Sequence, residues 1–520
     1  MKKIIYSSFF TLLLFTSCSD YLDVNGKQTN SALVDALSPN QMLAGAINNF
    51  TNNQNVPLAS YGNKMVYIWG LNSGFTTTDP AYNHIYSSDS YETLFENTYI
   101  FADNFQDILD KESLFPEYSY HYGVAKIFKV MSMDYMTALY GDVPYSEALN
   151  DAYTAPKYDD DKTIIPKLFK ELDEARVFLS NPDAIALGSE DIVFHGDTSK
   201  WIEFLNTIEL KMLVRLSKTT DATLVALRTS RFAALNVNQN FISADVTVNP
   251  GYNLGTLGQR SPLYRAYGLN EALNAFTSAR DANAAGDYIG KIVNGTFNDA
   301  NITTGIVDPR RARMFTTVGG AVVGNVQGVF PLTAISRFST FYTGRVGVFP
   351  QHNINGAGRD AFLLLSAESY FLQAEAIQRG YLTGSAQQAF ETGITASFKF
   401  YSKTFGALTS TDLPPLNAVT YITNTSAKNG LGWAGSANKI NAIMTQKYLA
   451  LANWNGLELY FDHLRTGFPV LPLPVGVTTS NRPNRLIYPS SEYSTNSNNV
   501  PSVTNTEIFS VNSKTPYYLQ

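Results

Sequence analysis

The chain has 520 residues, a formal net charge of −6, a single cysteine and 13% aromatic side chains. That length supports a large core or two to three domain-sized units. One cysteine excludes an internal disulfide and every Cys-based zinc pattern, and a mildly acidic chain without basic runs speaks against a nucleic-acid partner, whose phosphates demand clustered Lys and Arg.

The chain opens MKKIIYSSFFTLLLFTSC. Lys2 and Lys3 make a positive n-region, Ile4 to Phe15 an apolar core, and Thr16-Ser17 the small residues before a cleavage site. Twelve apolar residues rise only about 18 Å as a helix against about 30 Å of hydrocarbon, too short for a stable span. A small residue directly before a lone Cys18 resembles a bacterial lipobox, with Phe15 in the place of the usual Leu. Residues 1–17 therefore read as a lipoprotein signal peptide and 18–40 as lipid anchor and polar tether. Removing the two N-terminal lysines takes the charge of the remaining 503 or so residues to about −8. No later segment reaches 18 consecutive apolar residues, so contact with the membrane is expected through the lipid alone.

Taken in order, Gln41 to Phe50 reads as a short helix and 51–92 as loop, with aromatics scattered among Asn, Ser, Gly and Thr. Leu94, Phe101, Phe105, Ile108 and Leu109 share one helical face. In the next helix Phe128, Met131, Tyr135 and Ala138 stripe one side while Ile127, Val130 and Met133 widen it, which predicts packing on two sides as in stacked hairpins. Gly141 and Pro144 end it. A third helix spans roughly Lys162 to Leu179 behind Asp159–Asp161, and a fourth opens at DTSKW, where Asp197 or Ser199 can cap and Trp201, Leu205, Ile208 and Met212 share a face. Residues 240–358 are rich in Gly, Asn, Tyr and Thr and read as long irregular loops with a hairpin or two, the kind of segment that carries function. Helices resume at Arg359 with the stripe Leu364, Ala367, Phe371, Ala374, return over SAQQAFETGITASFKFY, and after a loop at 403–433 end in one long helix from about Ala437 to Arg465. Arg465, Gly467 and Pro469 form its stop signal, and the tail beyond 470 is irregular. The units implied are a helical part 41–235, a loop-rich ligand-facing part 236–358, a C-terminal helical part 359–465 and an irregular tail 466–520.

Aromatic rings flanked by amide and hydroxyl groups suit sugars, whose C–H faces stack while their hydroxyls take hydrogen bonds. The candidates for ligand contact are Tyr67, Trp69, Phe75 and Tyr82 in the first loop region and Tyr252, Tyr264 and Tyr267 in the second. The competing reading makes these rings loop core, and Trp201 and Trp454, on helices, are assigned to packing. Catalysis has little to stand on. Glu368 and Glu375 lie near one helical face but read as solvated or capping carboxylates, and a glycosidase needs a facing acid pair. The five histidines (84, 121, 195, 352 and 463) form no HxxxH or HExxH spacing, and no phosphate-binding glycine loop occurs. No catalytic residue, metal site or cofactor is assigned. Asn52 and Asn53 read as turn formers, and Asp462 with Arg465 as the tie between the final helix and the loop layer.

The segments CSDYLDVN, YGDVPYSEAL, DTSKWIEFLNTIELKMLVRLS, DPRRARMF, SAESYFLQAEAIQRG, ETGITASF and QKYLALANWNGLELYFDHLRTGFPVL, followed by NRPNRLIYPSSEYSTNSNNV, resemble in content and order the SusD/RagB nutrient-binding outer-membrane lipoproteins of Bacteroidetes. The resemblance covers most of the chain. It implies a mainly α fold of right-handed superhelical tetratricopeptide-like helix pairs with a large irregular loop region packed on it. It also implies a partner, a TonB-dependent SusC-like barrel over which the lipoprotein sits as a lid at the outer cell surface. The family binds glycans in most described members and peptides in others, without catalysis. The reading carried forward is an oligosaccharide-binding lid, with a peptide-binding lid, a secreted hydrolase and a purely structural scaffold as alternatives.

Overall fold

A computed structural model describes residues 37–75, 78–330, 334–338, 354–402 and 416–520. The signal segment, Cys18, most of the tether and His352 lie outside the described residues. The architecture is mainly α. Helices α1 Pro39–Asn53, α2 Ala59–Met65, α3 Glu92–Leu109, α4 Ser119–Tyr140, α5 Asp161–Leu179, α6 Thr198–Arg215 and α7 Ala222–Val237 build the first part. Helices α8 Ser366–Gln378, α9 Ala386–Tyr401, α10 Ala418–Thr425, α11 Lys439–Leu451 and α12 Gly456–Thr466 build the second. Among the described residues, no helix is long and apolar enough to cross a membrane.

Local chemistry accounts for the boundaries. Asp160 and Asp197 accept backbone N–H groups at the starts of α5 and α6, and Gly467 closes α12 in the left-handed conformation that glycine adopts without a Cβ penalty. α4 is buried nearly all round because it packs against α1, α3, α5 and α6, as its wide apolar arc predicts. The pairs α3–α4, α4–α5 and α8–α9 pack as tetratricopeptide-like helix pairs, α4 and α5 being joined by a longer segment that carries β2 and β3.

Several sequence expectations need correction. The helix expected over 41–50 continues as a π-helical stretch Gln54–Leu58 and then α2, so Tyr61 and Asn52–Asn53 are helical rather than loop. The stripe from Leu364 begins as a strand, because Ala361–Leu364 pairs with Val246–Val248 before α8 starts. The loop expected over 403–433 contains α10. The single long C-terminal helix is two, broken at Ala452–Asn455 where Asn453 turns left-handed with φ 72°. The break lets the N-terminus of α12 approach α2 so closely that a Cβ on Gly456 would meet the Asn63 nitrogen at 2.2 Å.

Strands are short and come in antiparallel pairs: β1 Trp69–Leu71 with β5 Asn283–Ala285, β2 Val143–Pro144 with β3 Tyr158–Asp159, and β4 Val246–Val248 with β6 Ala361–Leu364. The described residues between β4 and β6 otherwise form short helices, such as Ser278–Ala282 and Asp287–Val293, within irregular chain.

Charge runs through the middle of the helical body. Glu368 and Glu375, expected to be solvated or capping, are buried on α8. Lys211 reaches Glu368 at 3.2 Å and Glu458 at 3.3 Å, while Arg215 joins Asp134 at 2.5 Å and Glu458 at 2.7 Å. Arg465 grips Glu375 and Asp462 and donates to Ser217 Oγ, and Lys447 meets Asp462 at 2.7 Å. Arg465 thus ties α12 to α8 and to the residues just past α6, within the helical body and not to the loop layer. Against the cost of burial, the charges of Arg465 and Arg379 hold the Glu375 carboxyl below its ordinary value.

Candidate functional site

The loop layer is organised by one short ladder. β1 and β5 pair Trp69 with Ala285, Gly70 with Ala284 and Leu71 with Asn283, bringing together chain segments more than two hundred residues apart. Gly70 is required there, since a Cβ would meet Asn325 Cβ at 2.8 Å. Past the end of the ladder, the Asn72 N–H donates to Ala282 O at 3.0 Å and its side-chain amide to Asp281 O at 2.6 Å. These two bonds set the loop that carries Phe75 beside the loop and short helix that carry Phe276, Arg280 and Asp281.

The Arg280 guanidinium lies 3.7 Å above the Phe276 ring, within cation–π range. Its Nη1 donates to Asp281 Oδ1 at 3.0 Å, and Arg337 Nη1 reaches the same oxygen at 2.8 Å. Phe75, Phe276, Asp281 and Arg337 are half-buried. The result is a surface patch on which ring faces stand next to guanidinium, carboxylate and amide groups. Such a patch stacks against apolar faces and satisfies hydroxyls around their rim.

Six of the seven sequence-singled aromatics lie beneath the surface. Trp69 and Tyr267 come together edge to face at 5.4 Å, and Phe338 packs on both, at 4.7 and 5.2 Å. Trp69 is 2% exposed and its indole N–H donates to Asn453 Oδ1 at 2.6 Å. Tyr67 stacks on Tyr288, accepts the Gln327 N–H at 2.8 Å, and has its phenol pushed up to about 12 by burial. Tyr82 sits in the short helix Pro80–Asn83 capped by Asp79. Tyr252 donates to Asn48 Oδ1 at 2.6 Å, and Tyr264 packs in a separate small cluster with Leu269 and Ala357. Phe75 alone keeps partial exposure. The aromatic-rich sequence found the layer but not its outward face. Around these rings, Phe276, Asp281 and Arg337 are half-buried while Arg280 and Phe338 are buried, and sequence reasoning singled out none of the five, although an adjacent Arg-Asp in a charge-poor stretch was the available signal.

Elsewhere, Asp142, Asp160 and Asp161 bring one carboxylate oxygen each within 4.8 Å of one another. Each accepts a backbone N–H, from Asp161, Lys162 and Tyr517 respectively, so the trio reads as capping and turn chemistry. Trp201 and Trp454 are buried in packing roles as expected.

A SusD-like family model, described as starch-binding and associating with the outer membrane, matches residues 30–489. Among solved structures, a SusD homolog from Bacteroides fragilis superposes with a TM-score of 0.70 at 21% identity, covering 89% of this chain and 95% of its own. A chitin-binding SusD homolog from Flavobacterium johnsoniae superposes with a TM-score of 0.68 at 20% identity, covering 92% of this chain and 98% of its own. At these identities the likeness establishes the shared fold. No curated protein sequence matches the chain significantly.

Proposed function

The chain belongs to the SusD-like family, and from that premise we propose that it is a non-catalytic surface lipoprotein that captures an oligosaccharide and passes it to a TonB-dependent SusC-like barrel as its lid. The family's description as starch-binding and outer-membrane-associated supports a nutrient-binding role at that membrane. The observation that carries the glycan reading is the Arg280–Phe276 stack beside an Asp281 carboxylate shared with Arg337. A flat ring flanked by planar donors and an acceptor matches a pyranose better than an extended peptide, which would ask for an open strand edge or deep side-chain pockets.

Phe75 and Phe276 supply the stacking faces and Asp281 and Arg337 the polar rim, with buried Arg280 backing the Phe276 ring. Of the other six aromatics proposed from sequence, Trp69 and Tyr267 support the patch from below, while Tyr67, Tyr82, Tyr252 and Tyr264 hold the surrounding loops. Pairing of Glu368 and Glu375 with buried cations supports binding without turnover, since neither carboxylate is available to a substrate. Cys18, acylated, would hold the body at the outer cell surface on the 19–40 tether.

Calorimetry with maltooligosaccharides, chitooligosaccharides and a tryptic peptide mixture tests this reading. One of the glycans binds, remains uncleaved by chromatography, and loses affinity about fivefold or more with Phe276→Ala, taking a stacking contact on an aromatic ring as about 1–3 kcal/mol. Binding of peptides alone, or release of shortened glycans, overturns it.

A further inference from the structure

The helical body carries a concavity that shares no residue with the Phe75–Phe276 patch. A groove of about 860 Å³ runs between α3, the 144–156 loop and the short helix Ser490–Thr495. That volume lies in the range of sites that hold a ligand or a peptide segment. Its apolar lining includes Ile100, 57% exposed, and Tyr153, 47% exposed, together with Leu149 and the edge of Tyr99. Every charged side chain in the lining is acidic: Glu96, Asp103, Asp151 and Glu492. Glu492 already accepts from the Tyr158 hydroxyl at 2.8 Å and the Asn496 amide at 3.0 Å.

Glu96 and Asp103 line the groove from α3, and Asp107 and Asp110 follow on the same helix beyond the lining. Burial pushes the Asp107 carboxyl up to about 6, assisted by Asp103, Asp110 and Asp151 and opposed by Lys111. The groove therefore sets acidic side chains beside exposed aliphatic and aromatic surface. A basic segment with apolar stems complements both features.

We propose that this groove docks an extended basic segment of a partner protein. Its Lys or Arg head groups meet Glu96, Asp103 and Asp151, and its methylene stems lie along Ile100, Leu149 and Tyr153. Long side chains with an apolar stem and a charged tip fit such a wall. An amino sugar carries the charge without the stem that would cover Ile100 and Leu149. Complementary charge would also speed encounter and fix register on the body.

Fluorescence anisotropy of the full chain with a labelled octapeptide alternating lysine and valine tests the proposal. Its glutamate-for-lysine counterpart and a glucosamine hexamer serve as comparisons. The basic peptide binds, binds less tightly as salt rises, and loses at least about tenfold in affinity in the combined Glu96→Gln, Asp103→Asn, Asp151→Asn protein. Tyr153→Ala, at an exposed position, weakens it several-fold with an unchanged unfolding midpoint, which separates loss of the groove from loss of the fold. No binding of the basic peptide, equal binding to the neutralised protein, or preferential binding of the glucosamine hexamer overturns the proposal.

Discussion

A Cβ built on Gly62 would lie 2.1 Å from the carbonyl carbon of Gly456, so two backbones nearly four hundred residues apart touch where no side chain can stand. α2 and the start of α12 cross at this point, and the α11–α12 break exists so that α12 can begin here. Gly62→Ala must push the helices apart and should lower stability by about 3 kcal/mol or more, at the upper end of overpacking costs. A urea unfolding curve checks it. An unchanged midpoint would mean that the crossing can open freely.

Removing Arg465 leaves Glu375 buried with only Arg379 beside it. Arg465→Met should cost about 3–5 kcal/mol, because the penalty comes from a stranded charge and not from the lost attraction. The double variant Arg465→Met, Glu375→Met should recover most of that loss. A double variant no more stable than the single one would contradict the assignment.

Asp161 gives a pH signature. Burial, with Asp142 and Asp160 nearby, raises its carboxyl to about 7, against the hydrogen bond from the Tyr517 N–H. The folded state then binds a proton more readily than the unfolded chain between about pH 4 and 7. Through this group stability rises as pH falls across that window, by at most about 1.4 kcal/mol per unit. Buried His84 and His463, lowered to about 4, act in the opposite direction, so the informative quantity is the difference between wild type and Asp161→Asn. That difference should shrink from pH 8 to pH 5 in parallel unfolding experiments, and a pH-independent difference would rule the titration out.

Trp69 and Phe276 should separate support from contact. Trp69→Phe keeps the aromatic packing but removes the hydrogen bond to Asn453, and should lower stability by about 1–3 kcal/mol. It should leave glycan affinity within about twofold, while Phe276→Ala does the reverse. Calorimetric titration beside thermal unfolding distinguishes the two, and equal binding losses would put Trp69 at the ligand.

Cys18→Ala should leave the unfolding midpoint unchanged while moving the protein from the membrane fraction to the soluble one, since several acyl chains at about 0.8 kcal/mol per buried CH₂ supply the anchor. A variant still recovered with membranes would show that something else holds it there.

What the sequence determined by itself is everything encoded within one or two helical turns. The wide apolar arc of α4, the Asp160 and Asp197 caps, and the stops at Gly141 and Gly467 are short-range physics, and they locate the helical hairpins. The ordered family segments were equally legible, because each is contiguous. Tertiary structure decided the rest. Whether an aromatic ring faces water or core depends on what packs over it, so Trp69 and Tyr267 went inward under Phe338. The outward patch arose only when β1 met β5 and set Asn72 against Asp281 and Ala282. Glu375 looked like a solvated helical carboxylate until Arg465, ninety residues on, supplied the partner that made its burial tolerable. Burial and pairing are properties of contacts between distant segments, and periodicity within a segment does not report them.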